Sequence, residues 1–378
     1  MPGSDFVPVS QNPSSVREIP VGIIGYGFMG RTHANAYRKI PSAFEQPGSW
    51  PVVRAMCGRD GARVEAVARS LGIPGHYTDA RALIEEPDIE IVDVCSNDAA
   101  HYSHSKEALV AGKHVACEKP LSRTLDEAAE LAELTRSASS KTMTMFNYRF
   151  IPAVRLAKDL VEQGRLGTIY QFHGRYLQDQ GRRPDTEIEN VWYARERGSG
   201  VMLGIGCHII DLARFLVGEP AAVSCMSRTA IPQRPSTSGG LADVAADDHN
   251  VAIVEFENGA IGTIESSCIS TGRKNQNTFE INGSEGSLWF DLEDVDHLHV
   301  CLPEEQGEDV AGFSRISVTR PLDSLTTRLL PKGHNRGWEY GHLFALAHFL
   351  DCIAEDEGVE PLGATFIDGY RVAAIMES

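Results

Sequence analysis

The chain has 378 residues, a formal net charge of −17, 42% hydrophobic and 23% charged residues. That length exceeds what one hydrophobic core commonly supports and predicts two domains. The acidic balance excludes a nucleic-acid partner, whose phosphates reward clustered Lys and Arg, and no run approaches the about 20 apolar residues of a membrane span.

Met1 to Pro20 is rich in Pro and Ser and has no apolar h-region, so 1–20 reads as a disordered lead-in rather than a signal peptide. From Val21 the pattern is a short strand, the glycine turn Gly25-Tyr26-Gly27-Phe28-Met29-Gly30, then an amphipathic helix towards Ile40. This G-x-G-x-x-G has a mechanism because it follows a strand and opens a helix. The first glycine permits the turn, the second lets backbone approach a pyrophosphate, and the third lets helix and strand pack closely. The helix N-terminus then offers unpaired N–H groups to phosphate. Pro41 to Pro51 reads as a loop and Val52 to Cys57 as the second strand, ending in Gly58-Arg59-Asp60. An acid at such a strand end holds a ribose 2′-hydroxyl and a nearby Arg accommodates a 2′-phosphate. Both are present, so NAD and NADP stay open.

A helix over 60–71, a short one over 78–85 and a third strand, Ile89 to Cys95, follow. Beyond it, His101 and His104 are spaced as one helix face requires, but two histidines are not a ligand set and no metal site is expected. A helix to Ala111, a Gly112 cap and the strand His114 to Cys117 complete another β-α-β step. This alternation predicts a doubly wound parallel sheet. Just past the last strand, Glu118-Lys119-Pro120 places a lysine where an open α/β sheet holds its ligand. A helix Leu125 to Ser137 and a strand Lys141 to Phe146 end the first domain, 21–147.

The second domain, 148–378, opens with a helix over 152–163 and an alternating strand, Ile169 to Leu177. An apolar helix, Val201 to Leu216, carries His208. Strand-like runs near 222–226, 250–256, 260–268, 277–281, 287–291 and 297–302 then predict a large open, mainly antiparallel sheet, with Asn258-Gly259 as a hairpin turn. Helices near 340–354 and 366–376 close an α+β domain. The eight cysteines stand singly, without a C-x-x-C pair, which suggests buried free thiols in a reducing cytoplasm.

The strand-borne Gly25 to His33, the Ala111-Gly-Lys-His-Val-Ala-Cys-Glu-Lys-Pro120 run, Gly206-Cys-His-Ile-Ile-Asp211 and Phe366-Ile-Asp-Gly-Tyr-Arg371 together resemble the glucose-fructose oxidoreductase / inositol dehydrogenase / rhizopine catabolism family, Gfo/Idh/MocA. Asn147-Tyr-Arg-Phe150 and Gly174-Arg-Tyr-Leu-Gln-Asp179 are most similar to its pyranoside-oxidising members, the levoglucosan dehydrogenase type included. The resemblance implies hydride transfer between NAD or NADP and a ring hydroxyl or ketone of a sugar, glycoside or cyclitol. It also implies a homo-oligomer, dimer or tetramer, built through the open sheet. Gly25, Phe28, Met29 and Gly30 would cradle the pyrophosphate, with Arg59 and Asp60 near the adenosine ribose. Ser96, Asn97, His101 and Glu118 would line the nicotinamide side. Lys119 would reach both cofactor and substrate, and His208 would be the general base. Tyr148, Arg149, Gln178, Asp179 and Trp192 would shape the sugar pocket with it.

One position departs from the family. An Asp usually precedes the catalytic histidine by four residues, and here Gly204 stands in that place. Asp211 or Asp179 could supply the carboxylate, although Asp211 is expected to pair structurally with Arg214. Altered chemistry and lost catalysis, leaving an NAD(P)- and sugar-binding sensor, are the other readings. A further alternative is glycoside cleavage through transient oxidation of the sugar.

Overall fold

The computed structural model describes residues 16–44, 49–190, 200–319 and 330–378. Trp192, assigned to the sugar pocket above, lies outside them, as do residues 1–15 of the expected lead-in.

The N-terminal half alternates strands and helices: β1 (Arg17–Ile24), α1 (Phe28–Ala43), β2 (Ser49–Cys57), α2 (Gly61–Ser70), β3 (Gly75–Tyr77), α3 (Ala80–Ile84), β4 (Ile91–Val94), α4 (His101–Val110), β5 (His114–Cys117), α5 (Leu125–Ser137) and β6 (Thr142–Thr144). Its six strands run in the order β3-β2-β1-β4-β5-β6, all parallel. Helices cover both faces, so β4 is buried throughout and reads as an unbroken apolar run apart from Asp93. The order reverses between β1 and β4, and the crevice beyond their carboxyl ends is where such a sheet binds its ligand. The first strand begins at Arg17, so Arg17 to Pro20 belong to the sheet and not to a lead-in.

The second sheet is built from β7 (Ile169–Leu177), β8 (Pro220–Arg228), β11 (His249–Phe256), β12 (Ile261–Ser267), β13 (Gln276–Gly283), β14 (Ser287–Asp291), β15 (His297–Cys301) and β16 (Ser314–Ser317). The order is β16-β15-β14-β13-β7-β12-β11-β8, antiparallel except where β12 meets β7. Along β11 buried and exposed residues alternate, as they must when one face meets the core and the other stays open. Against the covered face pack α6 (Pro152–Glu162) and α7 (Cys207–Leu216). A small hairpin, β9 (Gln233–Pro235) with β10 (Leu241–Asp243), forms a separate two-stranded sheet.

The two cores do not follow the chain division at residue 147. After a four-residue helix α8 (Pro303–Gln306), the chain returns in α9 (Tyr340–Ala354) and α10 (Phe366–Glu377). Leu343, Phe344 and Phe349 of α9 share one core with Tyr37 and Ile40 of α1 and Met56 of β2. Phe366 opens α10 in the core around Leu131 of α5. Residues assigned by sequence to the second domain therefore complete the first, and α9 carries side chains to the cleft between the sheets.

Candidate active site

The glycine turn has the form its chemistry requires. Gly25 has φ +117°, and a Cβ on it would lie 2.2 Å from the Cys95 carbonyl oxygen; a Cβ on Gly30 would lie 1.9 Å from the Gly25 oxygen. Gly27, by contrast, faces open space, and as N-cap of α1 it provides no side-chain cap. The first-turn N–H groups of α1 thus remain available to an anion. Over them lies a cavity of about 630 Å³ bounded by Gly25, Phe28, Met29, Arg59, Asp79, Ser96, Asn97 and His104. The residues present fit a dinucleotide: the turn and helix end would hold its pyrophosphate, and Arg59 stands where the adenosine ribose would lie.

Two residues expected here are placed otherwise. Asp60 caps α2, accepting from the Arg63 N–H at 3.1 Å. His101 is buried, its ring nitrogens 2.7 Å from the Pro120 oxygen and 3.1 Å from the Ser96 oxygen. His104 lines the cavity instead, 3.2 Å from Ser96 Oγ.

Phe28 and Met29 also border a second cavity of about 460 Å³, entered by Glu118, Lys119, Tyr148, Gln178 and His208. The two cavities therefore adjoin, with Phe28 and Met29 as a shared wall. Lys119 Nζ donates to the Gly204 carbonyl at 2.8 Å. Met202–Gly206 winds as a π-helix into α7, and in the place of a carboxylate side chain the chain offers the ammonium a backbone oxygen. His208 is buried with Nδ1 unpartnered, its ring 4.5 Å from that of Tyr148. Burial first, and the Lys119 charge second, hold its imidazolium well below the ordinary histidine range, so the ring is neutral and free to accept a proton.

Around these two groups runs a one-way chain of hydrogen bonds. Trp338 Nε1 donates to Tyr148 OH at 3.1 Å, Tyr148 OH lies 2.7 Å from Tyr176 OH, and Tyr176 OH donates to Asn275 Oδ1 at 2.8 Å. Gln178 Nε2 donates to the same oxygen at 2.7 Å. Each hydroxyl proton being spent on its neighbour, both phenols are fixed in orientation, and the Asn275 amide N–H groups are left to face the cavity. Asn147 Nδ2 and His342 Nε2, on two more of the lining residues, are buried without a partner. Buried polar atoms are rarely orphaned in proteins, and their convergence on one cavity marks a polar ligand.

Arg149 and Asp179, assigned to the sugar pocket, do not line it. Arg149 is buried and clamps Asp211 through Nε at 2.9 Å and Nη2 at 2.5 Å. Asp179 binds Lys274 Nζ at 2.7 Å and the Gly272 N–H. Neither Asp211 nor Asp179 therefore replaces the carboxylate absent at Gly204. Asp211 also does not take Arg214 as its partner; Arg214 pairs with Glu219 at 2.6 Å and Asp368 at 3.1 Å. Asp211→Ala is expected to destabilise by about 3–5 kcal/mol, because it removes the bidentate partner of the buried Arg149 guanidinium and leaves it only Asp368, 3.7 Å away. A fall in the urea midpoint with unchanged slope checks it.

Asn147, Tyr176, Gln180, Asn275, Trp338 and His342 line the cavity without having been singled out as sugar contacts. Two signals were available: Tyr176 shares the inward parity of Phe172 on β7, and Trp338 and His342 stand four residues apart where the chain enters α9.

A glycine-cradled cavity that adjoins a polar pocket with a lysine and a neutral histidine is the arrangement of dinucleotide-dependent oxidoreductases of two-domain build. Comparison with known proteins agrees. The oxidoreductase family with NAD-binding Rossmann fold matches residues 19–146 and the Gfo/Idh/MocA C-terminal domain matches 154–289. Levoglucosan dehydrogenase of Pseudarthrobacter phenanthrenivorans is 36% identical over 374 residues, 95% of each chain; myo-inositol 2-dehydrogenase of Thermotoga maritima is 28% identical, covering 82% of this chain and 85% of its own. The solved levoglucosan dehydrogenase complex with NADH and levoglucosan superposes with a TM-score of 0.89 at 35% identity, over 96% of this chain and 95% of that one. The chain belongs to the Gfo/Idh/MocA oxidoreductase family.

Proposed function

We propose that the protein oxidises a ring hydroxyl of an uncharged pyranose or anhydropyranose, with His208 as the base and Lys119 as the electrostatic partner of the reacting oxygen. The observation that carries this is the meeting of Lys119 and the neutral His208, its Nδ1 unpartnered, in a pocket that adjoins the nucleotide cavity at Phe28 and Met29. A bound NAD(P) supplies the hydride acceptor. Everything else is the chain's own work. His208 takes the hydroxyl proton as the carbon loses hydride. Lys119, held by the Gly204 oxygen, has further N–H groups with which to stabilise the developing alkoxide. The lining supports an uncharged substrate: among the described residues it offers amides, phenols and an indole, and no arginine. Relatives named for levoglucosan, myo-inositol and D-xylose act on uncharged sugars or a cyclitol. Nicotinamide reduction across levoglucosan, methyl glucosides and inositols, set beside uronates and sugar phosphates, tests this; turnover confined to the charged compounds would overturn it.

For the cofactor, Arg59 facing the cavity and Asp60 turned away to cap α2 support use of NADP as well as NAD. Arg59→Ala is expected to raise the KM for NADP roughly ten- to hundredfold, as loss of a charged hydrogen bond does, and to leave that for NAD nearly unchanged.

The open face of the second sheet supports a homo-oligomer. Met226, Val251, Ile253 and Ile261 stand exposed on β8, β11 and β12, with Val251 directly opposite Met226, an apolar surface of the kind that marks association. The eight free cysteines support a reducing compartment, the cytoplasm. Among the described residues no helix is long and apolar enough to cross a membrane.

A further inference from the structure

Beneath the substrate cavity lies a cluster that the reaction as described does not use. His33 of α1 is fully buried. Its Nδ1 lies 3.0 and 2.9 Å from the two oxygens of Asp93 on β4. Its Nε2 lies 3.2 Å from Nδ1 of His342 and 3.2 Å from Oε1 of Glu118. Cys95 Sγ closes the Asp93 side, 3.1 Å from His33 Nδ1, and Tyr37 is buried one turn along α1. These groups, with Lys119, are the titratable neighbours of His33 on α1, β4, α9 and the strand end after β5.

The protonation pattern follows from geometry. An imidazole facing a carboxylate at Nδ1 carries its proton there. Were it neutral, Nε2 could accept from a His342 Nδ1–H, but the ring would then stand uncharged between two buried carboxylates, Asp93 at Nδ1 and Glu118 at 3.2 Å from Nε2, with no cation between them in a dry site. With protons on both nitrogens, His33 donates to Asp93 and to His342 Nδ1 and presents positive charge to Glu118. Burial opposes the charged ring, but Asp93 overrides it and raises His33 well above the usual histidine range. His342 Nδ1 is then an acceptor, which puts the His342 proton on Nε2, the unpartnered atom of a residue that lines the cavity. Burial alone would raise the Glu118 carboxyl; His33, His342 and Lys119 bring it down to about 2.

We infer that Asp93 and His33 are positioning residues that fix two groups of the substrate cavity, Glu118 as an anion and the His342 Nε2–H as a donor, and that Glu118 supplies the counter-charge for Lys119 and His208 that Gly204 withholds. The inference rests on the dehydrogenase reading. When His208 takes the substrate proton, it becomes a cation beside an ammonium in a buried site, and the His208 ring feels Glu118 in the opposite, favourable sense. Glu118 is the one carboxylate among the described residues lining that cavity.

Two measurements on the full chain decide it. In ¹⁵N-histidine spectra, with the His33 signal assigned by its loss in His33→Asn, His33 should be doubly protonated at mildly alkaline pH; a neutral ring would overturn the inference whether or not any sugar is turned over. In kinetics, His33→Asn keeps a donor for Asp93 and loses the Nε2–H. It should lower kcat roughly ten- to hundredfold with nucleotide affinity nearly unchanged. It should also give kcat/KM a new acid limb, because Glu118 without its cation titrates at higher pH and is lost as an anion below that value. Gly204→Asp in the same background should recover most of kcat. A fall in kcat with neither acid limb nor recovery would make His33 a merely structural residue. Should His33→Asn fail to fold, His33→Gln, which keeps a donor on the Glu118 side and loses that to Asp93, replaces it. A wild type that turns over no sugar would refute the dehydrogenase reading, and the spectrum would still decide the charge of His33.

Discussion

Lys119→Met is expected to reduce kcat by about 10³-fold while nucleotide binding, followed by NADH fluorescence, stays within a few-fold. Methionine keeps the apolar stem and removes the ammonium, so the change isolates charge from packing. Removing one preorganised donor from a developing oxyanion costs about 10²–10³ in rate, and Lys119 adds a full charge to its hydrogen bonds. A second readout follows from the histidine. The Lys119 ammonium is the second cause, after burial, of the depressed His208 pKa. Without it that pKa rises, and because His208 must be neutral to accept the proton, the acid limb of the residual activity moves to higher pH. Full activity in Lys119→Met would remove the lysine from the mechanism.

His208→Asn should lower kcat by roughly 10²–10⁴, the range of a lost general base. Asparagine fills much of the ring's space near Tyr148 and cannot take a proton. The wild-type enzyme should show no inflection near the ordinary histidine pKa, since its folded value lies well below it: activity is level through neutral pH and is lost only on acidification past the depressed value. In His208→Asn that dependence should give way to a residual rate rising with pH, as solvent becomes the base. A wild-type profile with its acid limb at the unperturbed value would contradict the buried, neutral ring.

How far these roles were legible in the chain varies with distance along it. The glycine turn is a local object: strand, turn and helix are adjacent, so its sequence specifies its geometry, and Gly25, Gly27 and Gly30 behave as the spacing requires. Lys119 and His208 were visible through companion motifs, since a histidine on an apolar helix is by itself most often a core residue. The sugar-facing wall was not. Tyr148 and Arg149 are neighbours in one short turn, yet one joins the cavity and the other turns to Asp211. A choice of that kind is made by tertiary packing and leaves no periodic trace. Asn275, Trp338 and His342 reach the pocket from β-loop and helix positions more than a hundred residues past Tyr148, and His342 does so only because α9 crosses back to the first domain. Asp60 shows the opposite error: a strand-end acid has two uses, ribose ligand and helix cap, and here the cap wins. The strands missed altogether, β3, β9, β10 and β16, have three or four residues each, too few for an alternation to declare itself.

Gly204 stands where the resemblance implies a carboxylate, and the claim that chemistry survives without one there is the one to test first. The measurement is nicotinamide absorbance with NAD and levoglucosan, wild type and Gly204→Asp side by side. The account predicts that the wild type reduces NAD and that Gly204→Asp changes the rate by no more than a few-fold, because Glu118 already stands as the anion. A silent wild type brought to life by Gly204→Asp would contradict it.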